Sequence, residues 1–157
     1  MAKKFYKQLC GNKILIEICS TVDYKLIGDI VCKPGYKEWL INDDCAAIED
    51  ILARPGMIYY LYKIDDVIAG FGAIRNIDEN ISIVDIAILE NFRGKIGKEL
   101  ALSSIEKFSN ESSCKILITR IDRKNKRSLY FTKWLGFKKY LDDENYIYLR
   151  LNLWADQ

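Results

Sequence analysis

The stretch from Asp85 to Phe108 constrains the fold more than any other part of the chain. Asp85-Ile86-Ala87-Ile88-Leu89 has the apolar density of a sheet strand, and the run breaks at Arg93-Gly94. From Ile96 onward the apolar residues recur with a helical period. Ile96, Leu100, Ala101, Ile105 and Phe108 share one face, and Lys98, Glu99, Glu106 and Lys107 fall largely off it. An amphipathic helix is therefore predicted to lie on a sheet, joined to its strand by a short turn with two glycines, Gly94 and Gly97.

The flanking segments supply the rest of that sheet. Ile14-Leu15-Ile16-Glu17-Ile18 reads as a first strand, and Ser20-Thr21-Val22-Asp23 offers N-cap chemistry for a helix that stops near Cys32, ahead of Pro34. A second helical stretch runs from Tyr36 to Ala53 and ends at Arg54-Pro55-Gly56. Met57–Lys63, Val67–Arg75 and Ile81–Leu89 are β-branched and aromatic runs. They are joined by the turn sequences Asp65-Asp66 and Asn76–Asn80, which gives an antiparallel meander. After the amphipathic helix come a strand at Lys115–Arg120, a helix at Lys126–Leu135 that stops at Gly136, and a strand at Tyr146–Leu153. The order is β-α-α-β-β-β-α-β-α-β, an α/β chain (α+β under some schemes).

A length of 157 residues without a repeat or a Pro/Ser-rich linker fits one domain spanning 1–157. The absence of histidine excludes Ser-His and Cys-His nucleophilic pairs, imidazole acid/base chemistry and His-ligated zinc. Cys10, Cys19, Cys32, Cys45 and Cys114 are odd in number and never form a C-x-x-C pair, so they are expected to be buried free thiols with no metal site. No run reaches the ~18 apolar residues of a membrane span, and the amino terminus lacks an apolar signal segment. A cytoplasmic protein is expected. The net charge of +2 makes no global case for nucleic acid or membrane as partner.

The turn after Leu89 is the first place where chemistry is expected. Unpaired N–H groups and the positive end of the dipole at a helix start bind phosphate if the backbone can be approached closely, and Arg93, Lys95 and Lys98 add charge there. A plain strand-to-helix turn with solvated basic residues is the alternative. The second place is Asn125-Lys126-Arg127-Ser128 through Thr132 to Gly136-Phe137. Together the two stretches resemble the GNAT superfamily of acetyl-CoA-dependent N-acetyltransferases. That superfamily has a strand ending in an Arg-Gly-rich pyrophosphate loop, then an Asn, a small residue three on, and Gly-Phe eleven and twelve on. Asn125, Ser128, Gly136 and Phe137 match that second register without a gap. The loop Arg93-Gly94-Lys95-Ile96-Gly97 has only two glycines and looks like that of the GNAT-like proteins of tailed bacteriophages.

The resemblance implies a mostly antiparallel sheet, flanked by helices, whose two central strands splay apart. It implies that amides from Lys95 to Glu99 hold the pyrophosphate of acetyl-CoA, with Arg93, Gly94, Lys95, Ile96, Gly97, Lys98, Asn125 and Ser128 at the cofactor. The pantetheine would pair with the backbone of Ile86, Ala87, Ile88 and Leu89. The activity implied is direct transfer of an acetyl group to a primary amine of an unknown acceptor, small molecule or protein. Asp85 is the candidate base, with a hydrogen-bonded structural carboxylate as the alternative. A tyrosine usually stands as acid seven residues after the Asn; here that register holds Thr132, so the acid is Tyr130, water or absent. Trp39, Tyr59, Tyr60 and Tyr62 are candidates for the acceptor wall. A GNAT-fold binding or virion-associated protein that has lost catalysis is the alternative function, and a homodimer is left open.

Charge is unevenly spread. Residues 93–140 contain 13 Lys or Arg and 4 Asp or Glu, a net of +9, which leaves 2 − 9 = −7 for the rest. A polyanionic cofactor is expected at the basic half and an amine at the acidic half. Arg120, Arg123, Lys124, Lys126 and Arg127 would be the patch if nucleic acid were bound instead, but the apolar residues interleaved with them read as core.

Overall fold

A computed structural model describes residues 1–9, 11–36 and 48–154. Its elements are β1 (Lys3–Leu9), β2 (Asn12–Thr21), α1 (Tyr24–Val31), α2 (Ile48–Leu52), β3 (Met57–Ile64), β4 (Val67–Asn76), β5 (Ile81–Ile88), α3 (Lys95–Glu111), β6 (Ile116–Asp122), α4 (Lys126–Trp134), β7 (Lys138–Asp142) and β8 (Tyr146–Asn152). The eight strands form one sheet in the order β1-β2-β3-β4-β5-β6-β8-β7. Every neighbouring pair is antiparallel except β5 with β6, which α3 connects as a parallel crossover.

Side-chain alternation splits the core into two layers. Ile16, Ile18, Tyr60, Tyr62, Ile74, Val84, Ile88, Leu117 and Leu149 pack with Leu100, Ile105 and Phe108 of α3 and Leu129 of α4. On the opposite face Tyr59, Leu61, Phe71, Ala73 and Ala87 pack with Ile27, Ile30 and Val31 of α1 and with Leu52 of α2. Asp23 caps α1 as expected, its carboxylate accepting from the Leu26 N–H at 3.0 Å. The second helix differs from its expected bounds. Tyr36 stands in a turn, donating its N–H to the Lys33 carbonyl, and among the described residues of this stretch Ile48–Leu52 are helical. Residues 37–47 of that reading, Trp39 among them, lie outside the described residues.

Two strands escaped the sequence reading. β1 pairs with β2 over Lys3–Leu9, and β7 with β8 over Lys138–Asp142. Both are edge strands. Half-buried residues alternate with exposed ones along β1, and β7 is exposed at all five positions, so neither has the apolar face that marks a strand in sequence. The cysteine expectation also needs correction: Cys19 and Cys114 are free thiols, but Cys32 is disulfide-bonded.

Candidate active site

The site begins where β5 and β6 part. They pair at Ile81–Ile116, Ser82–Leu117 and Ile83–Ile118 and no further, although β5 runs on to Ile88 and β6 to Asp122. The divergent ends open a cleft lined by Val84, Asp85 and Ile86 on one side and by Thr119 to Asp122 on the other. Asn125, Ser128, Phe131 and Thr132 of α4 form its wall.

Hydrogen-bond parity decides which backbone groups face this cleft. The Leu89 N–H donates to the Ala69 carbonyl of β4. Residues of Leu89's parity, Ala87 and Asp85, therefore direct their amides toward β4, and those of Ile86 and Ile88 face the gap. The Ile88 carbonyl is already in use: it accepts from the Tyr36 hydroxyl at 3.1 Å and from Arg93 Nε at 3.4 Å, while Arg93 also donates to the Tyr36 oxygen. The open edge is thus the Ile86 amide pair and the Ile88 N–H. The guanidinium of Arg93 turns back onto the strand instead of reaching beyond the helix.

α3 starts directly beyond this edge. Its N-cap is Gly94, at φ 91°, which L-residues rarely adopt, and no side chain caps the helix. The Lys98 N–H already donates to the Gly94 carbonyl at 3.0 Å. The donors left without a partner among the described residues are therefore those of Lys95, Ile96 and Gly97, a shorter set than the expected Lys95 to Glu99. Gly97 is required for packing. A Cβ there would lie 2.9 Å from the Phe92 carbonyl oxygen and 3.1 Å from Ile88 Cγ2, so only glycine lets the first turn sit this close to the end of β5. The Lys98 ammonium lies 4.5 Å over the ring of Trp134, which brings α4 alongside the same helix end.

The Asn125-to-Phe137 register turns out to be the two caps of α4. Asn125 accepts from the Ser128 N–H at 3.1 Å at the N-terminus. At the other end Gly136, at φ 98°, donates to the Lys133 carbonyl and Phe137 to the Thr132 carbonyl, which is a Schellman closure. The caps fix the helix against the cleft, with Thr132 buried and facing in. Tyr130 is 73% exposed and points to solvent on another face.

Asp85 emerges on the sheet face opposite α3 and α4, in line across the strands with Ala73 and Tyr59. Solvent reaches it through the cleft mouth, yet the protein packed around its other sides removes enough hydration to push its carboxyl above the ordinary 3.8; Arg120 and then Arg75 pull it part of the way back. The gap thus connects two faces, with Thr132 and the α3 amides on one and Asp85 on the other. Tyr59 shares the face of Asp85, but its hydroxyl donates to the Leu52 carbonyl at 2.8 Å and burial pushes its pKa up to about 12. Tyr60 and Tyr62 lie in the core beneath α3, bonded to Glu111 and Ser104, and burial raises both. They stand on the face away from Asp85. Sequence reasoning missed Tyr36 and Arg75, since nothing local ties either to a site, and it saw Arg120 only as part of a surface patch.

A family model for acetyltransferases of the GNAT type matches residues 22–137, which takes in α1, the splayed strands and both caps of α4. The chain belongs to the acetyltransferase (GNAT) family. Solved structures with the same GNAT fold include Campylobacter jejuni N-acetyltransferase PseH in complex with acetyl coenzyme A, at TM-score 0.65 and 19% identity over 88% of this chain and 99% of that one. A spermidine N-acetyltransferase SpeG chimera from Vibrio cholerae and hSSAT aligns at TM-score 0.70 and 9% identity, over 87% and 95%. The aminoglycoside acetyltransferase AAC(6')-Ib, in complex with coenzyme A and kanamycin, aligns at 0.69 and 14%, also over 87% and 95%. No curated protein sequence matches significantly.

Proposed function

We propose that the chain, acting as one unit, transfers the acetyl group of acetyl-CoA directly to a primary amine, with the β5/β6 gap as the passage between donor and acceptor. The observation that carries this reading is the continuity of the gap-facing Ile86 and Ile88 backbone with the unpaired amides of Lys95, Ile96 and Gly97. Three convergent N–H donors at a positive helix end fit a diphosphate. An exposed strand edge fits an amide-bearing arm, which would add to β5 as a further strand does. Acetyl-CoA would supply the activated acyl group.

Asp85 holds the amine by hydrogen bond and takes its proton, directly or through one water, since a carboxylate raised above its ordinary pKa is a better base. The two faces of the gap keep the roles apart: the amine arrives beside Asp85, and the thiolate departs on the side of Thr132. The outward placement of Tyr130 leaves the Thr132 hydroxyl or a cleft water to protonate the thiolate. The narrower kinship with phage-encoded GNAT-like proteins is supported by the two-glycine loop; no helix among the described residues is long and apolar enough to cross a membrane.

Acetyl-CoA at a hundredfold excess over its Kd stabilises a one-site protein by about 2.7 kcal/mol, roughly a 5–10 °C rise in Tm at this size. No rise at millimolar acetyl-CoA defeats the proposal. Thr132 at the register where the family places its tyrosine favours a second reading, a binding protein that retains the cofactor site without turnover. In that case acetyl-CoA stabilises the chain but no amine releases CoA thiol.

A further inference from the structure

The face on which Asp85 emerges carries a charge pattern that the sequence-wide tally conceals. Ile83 and Ile118 are the last β5–β6 pair, and Asp85 and Arg120 each stand two residues beyond it, so they flank the mouth of the gap on one face. Arg75 pairs with Ile83 and is therefore the diagonal neighbour of Asp85 from the other side, at the ~7–8 Å that such positions share. Arg150 pairs with Ile118 and continues the same face. Among the described residues none of these three arginines has an ion-pair partner, whereas Arg123 nearby is held by Asp142. Arg120 and Arg150 lie instead over the rings of Tyr146 and Tyr140, at 4.4 and 6.0 Å. Such stacking holds a guanidinium plane in place, and with five N–H donors Arg120 can bond the Tyr148 hydroxyl and still have others to give. An isolated surface arginine is common; two that lie close enough to Asp85 to act on its charge, with a third further along the same face, form a basic rim at the end of the passage.

We propose that the acceptor is an amine that also carries an anionic group, a carboxylate or a phosphate, gripped by Arg75 and Arg120 while its amine faces Asp85, and that polycationic amines are poor acceptors. This rests on the acetyl-transfer reading and narrows it. A guanidinium fork matches the paired oxygens of either anion, and a second cation beside the amine of a polyamine or aminoglycoside would meet Arg75 or Arg120 with like charge. The acceptor is thus drawn by its acid, not by the acidic half of the chain.

The test is acetyl-CoA-dependent thiol release by the full chain with matched acceptors: glucosamine 6-phosphate against glucosamine, 4-aminobutanoate against butylamine, and spermidine and kanamycin as polycations. The proposal expects kcat/KM at least about tenfold higher for an anionic member than for its neutral partner, the usual worth of a charge-assisted hydrogen bond. The phosphate and carboxylate pairs show which anion is preferred. Arg75→Gln and Arg120→Gln should each remove most of that preference through KM, read as the ratio of kcat/KM for the anionic and neutral partners within each variant, so that any change in the basicity of Asp85 cancels, and should melt like the parent. Equal or better use of neutral or polycationic amines overturns the inference, as does a preference that survives both variants. If acetyl-CoA stabilises the chain but no anionic amine is acetylated, this inference falls and the cofactor site stands. If acetyl-CoA gives no stabilisation, both fall.

Discussion

Gly97→Ala tests how closely α3 must approach β5. The added methyl would sit 2.9 Å from the Phe92 carbonyl oxygen, closer than real Cβ atoms come, and 3.1 Å from Ile88 Cγ2. Both neighbours belong to the strand end and turn that hold the helix, so the first turn must move by a few tenths of an ångström. Overpacking of this kind costs about 1–3 kcal/mol. Alanine's better helix propensity returns about 1 kcal/mol, so folding loses only ~0–2 kcal/mol. Cofactor affinity suffers more. Misaligning one amide from a phosphate oxygen costs about 1.5–3 kcal/mol, a roughly tenfold to hundredfold rise in Kd. Isothermal titration with acetyl-CoA reads this directly. Gly56→Ala is the control: Gly56 lies at positive φ, with no atom within 4 Å of the new Cβ, so the change should lower Tm through backbone strain and leave Kd alone. An unchanged Kd for Gly97→Ala would refute the claim that the amides of this turn hold the diphosphate.

Asp85→Asn should lower kcat by about a hundredfold or more if the carboxylate is the base. Its stability effect has the opposite sign. Because the folded pKa is raised, ionisation opposes folding: the cost is absent below the ordinary 3.8 and complete once pH exceeds the raised value. The variant should therefore melt higher than the parent at neutral pH, with the gap closing at about pH 3; a lower Tm at neutral pH would contradict the burial argument. Tyr130→Phe should leave kcat within about twofold, since the hydroxyl faces solvent, whereas Thr132→Val, which keeps the shape and removes the hydroxyl, should slow turnover if that group donates the proton. Asn125→Ala deletes the α4 N-cap and should cost ~1 kcal/mol, a fall in Tm of roughly 2–4 °C by thermal melt.

What could be read from the sequence follows from where its physics is local. The α3 boundary, the caps of α4 and the meander were readable because a change of period, an Asn three residues before its partner amide, and a glycine past the last turn act within a few residues. β1 and β7 were not, since an edge strand with no fully buried face carries no alternation strong enough to distinguish it from loop. At the site, the turn at Gly94 and the cleft-facing Thr132 lay on helices whose phase was known. Tyr36 and Arg75 became visible only through pairing: Tyr36 meets the Ile88 carbonyl across 52 residues, and Arg75 gains its place from its register with Ile83. The strands carrying Tyr59 and Tyr60 were right, but alternation alone does not say which face meets Asp85 until the helices have chosen sides.

The central claim is that one molecule spans the α3 amides and the β5 edge. Backbone amide resonances followed during titration with acetyl-CoA test it most directly. The N–H groups of Lys95, Ile96 and Gly97 should shift together with those of Ile86 and Ile88, saturating at one Kd. Saturable shifts confined elsewhere, or movement of the helix amides with β5 unaffected, would contradict it.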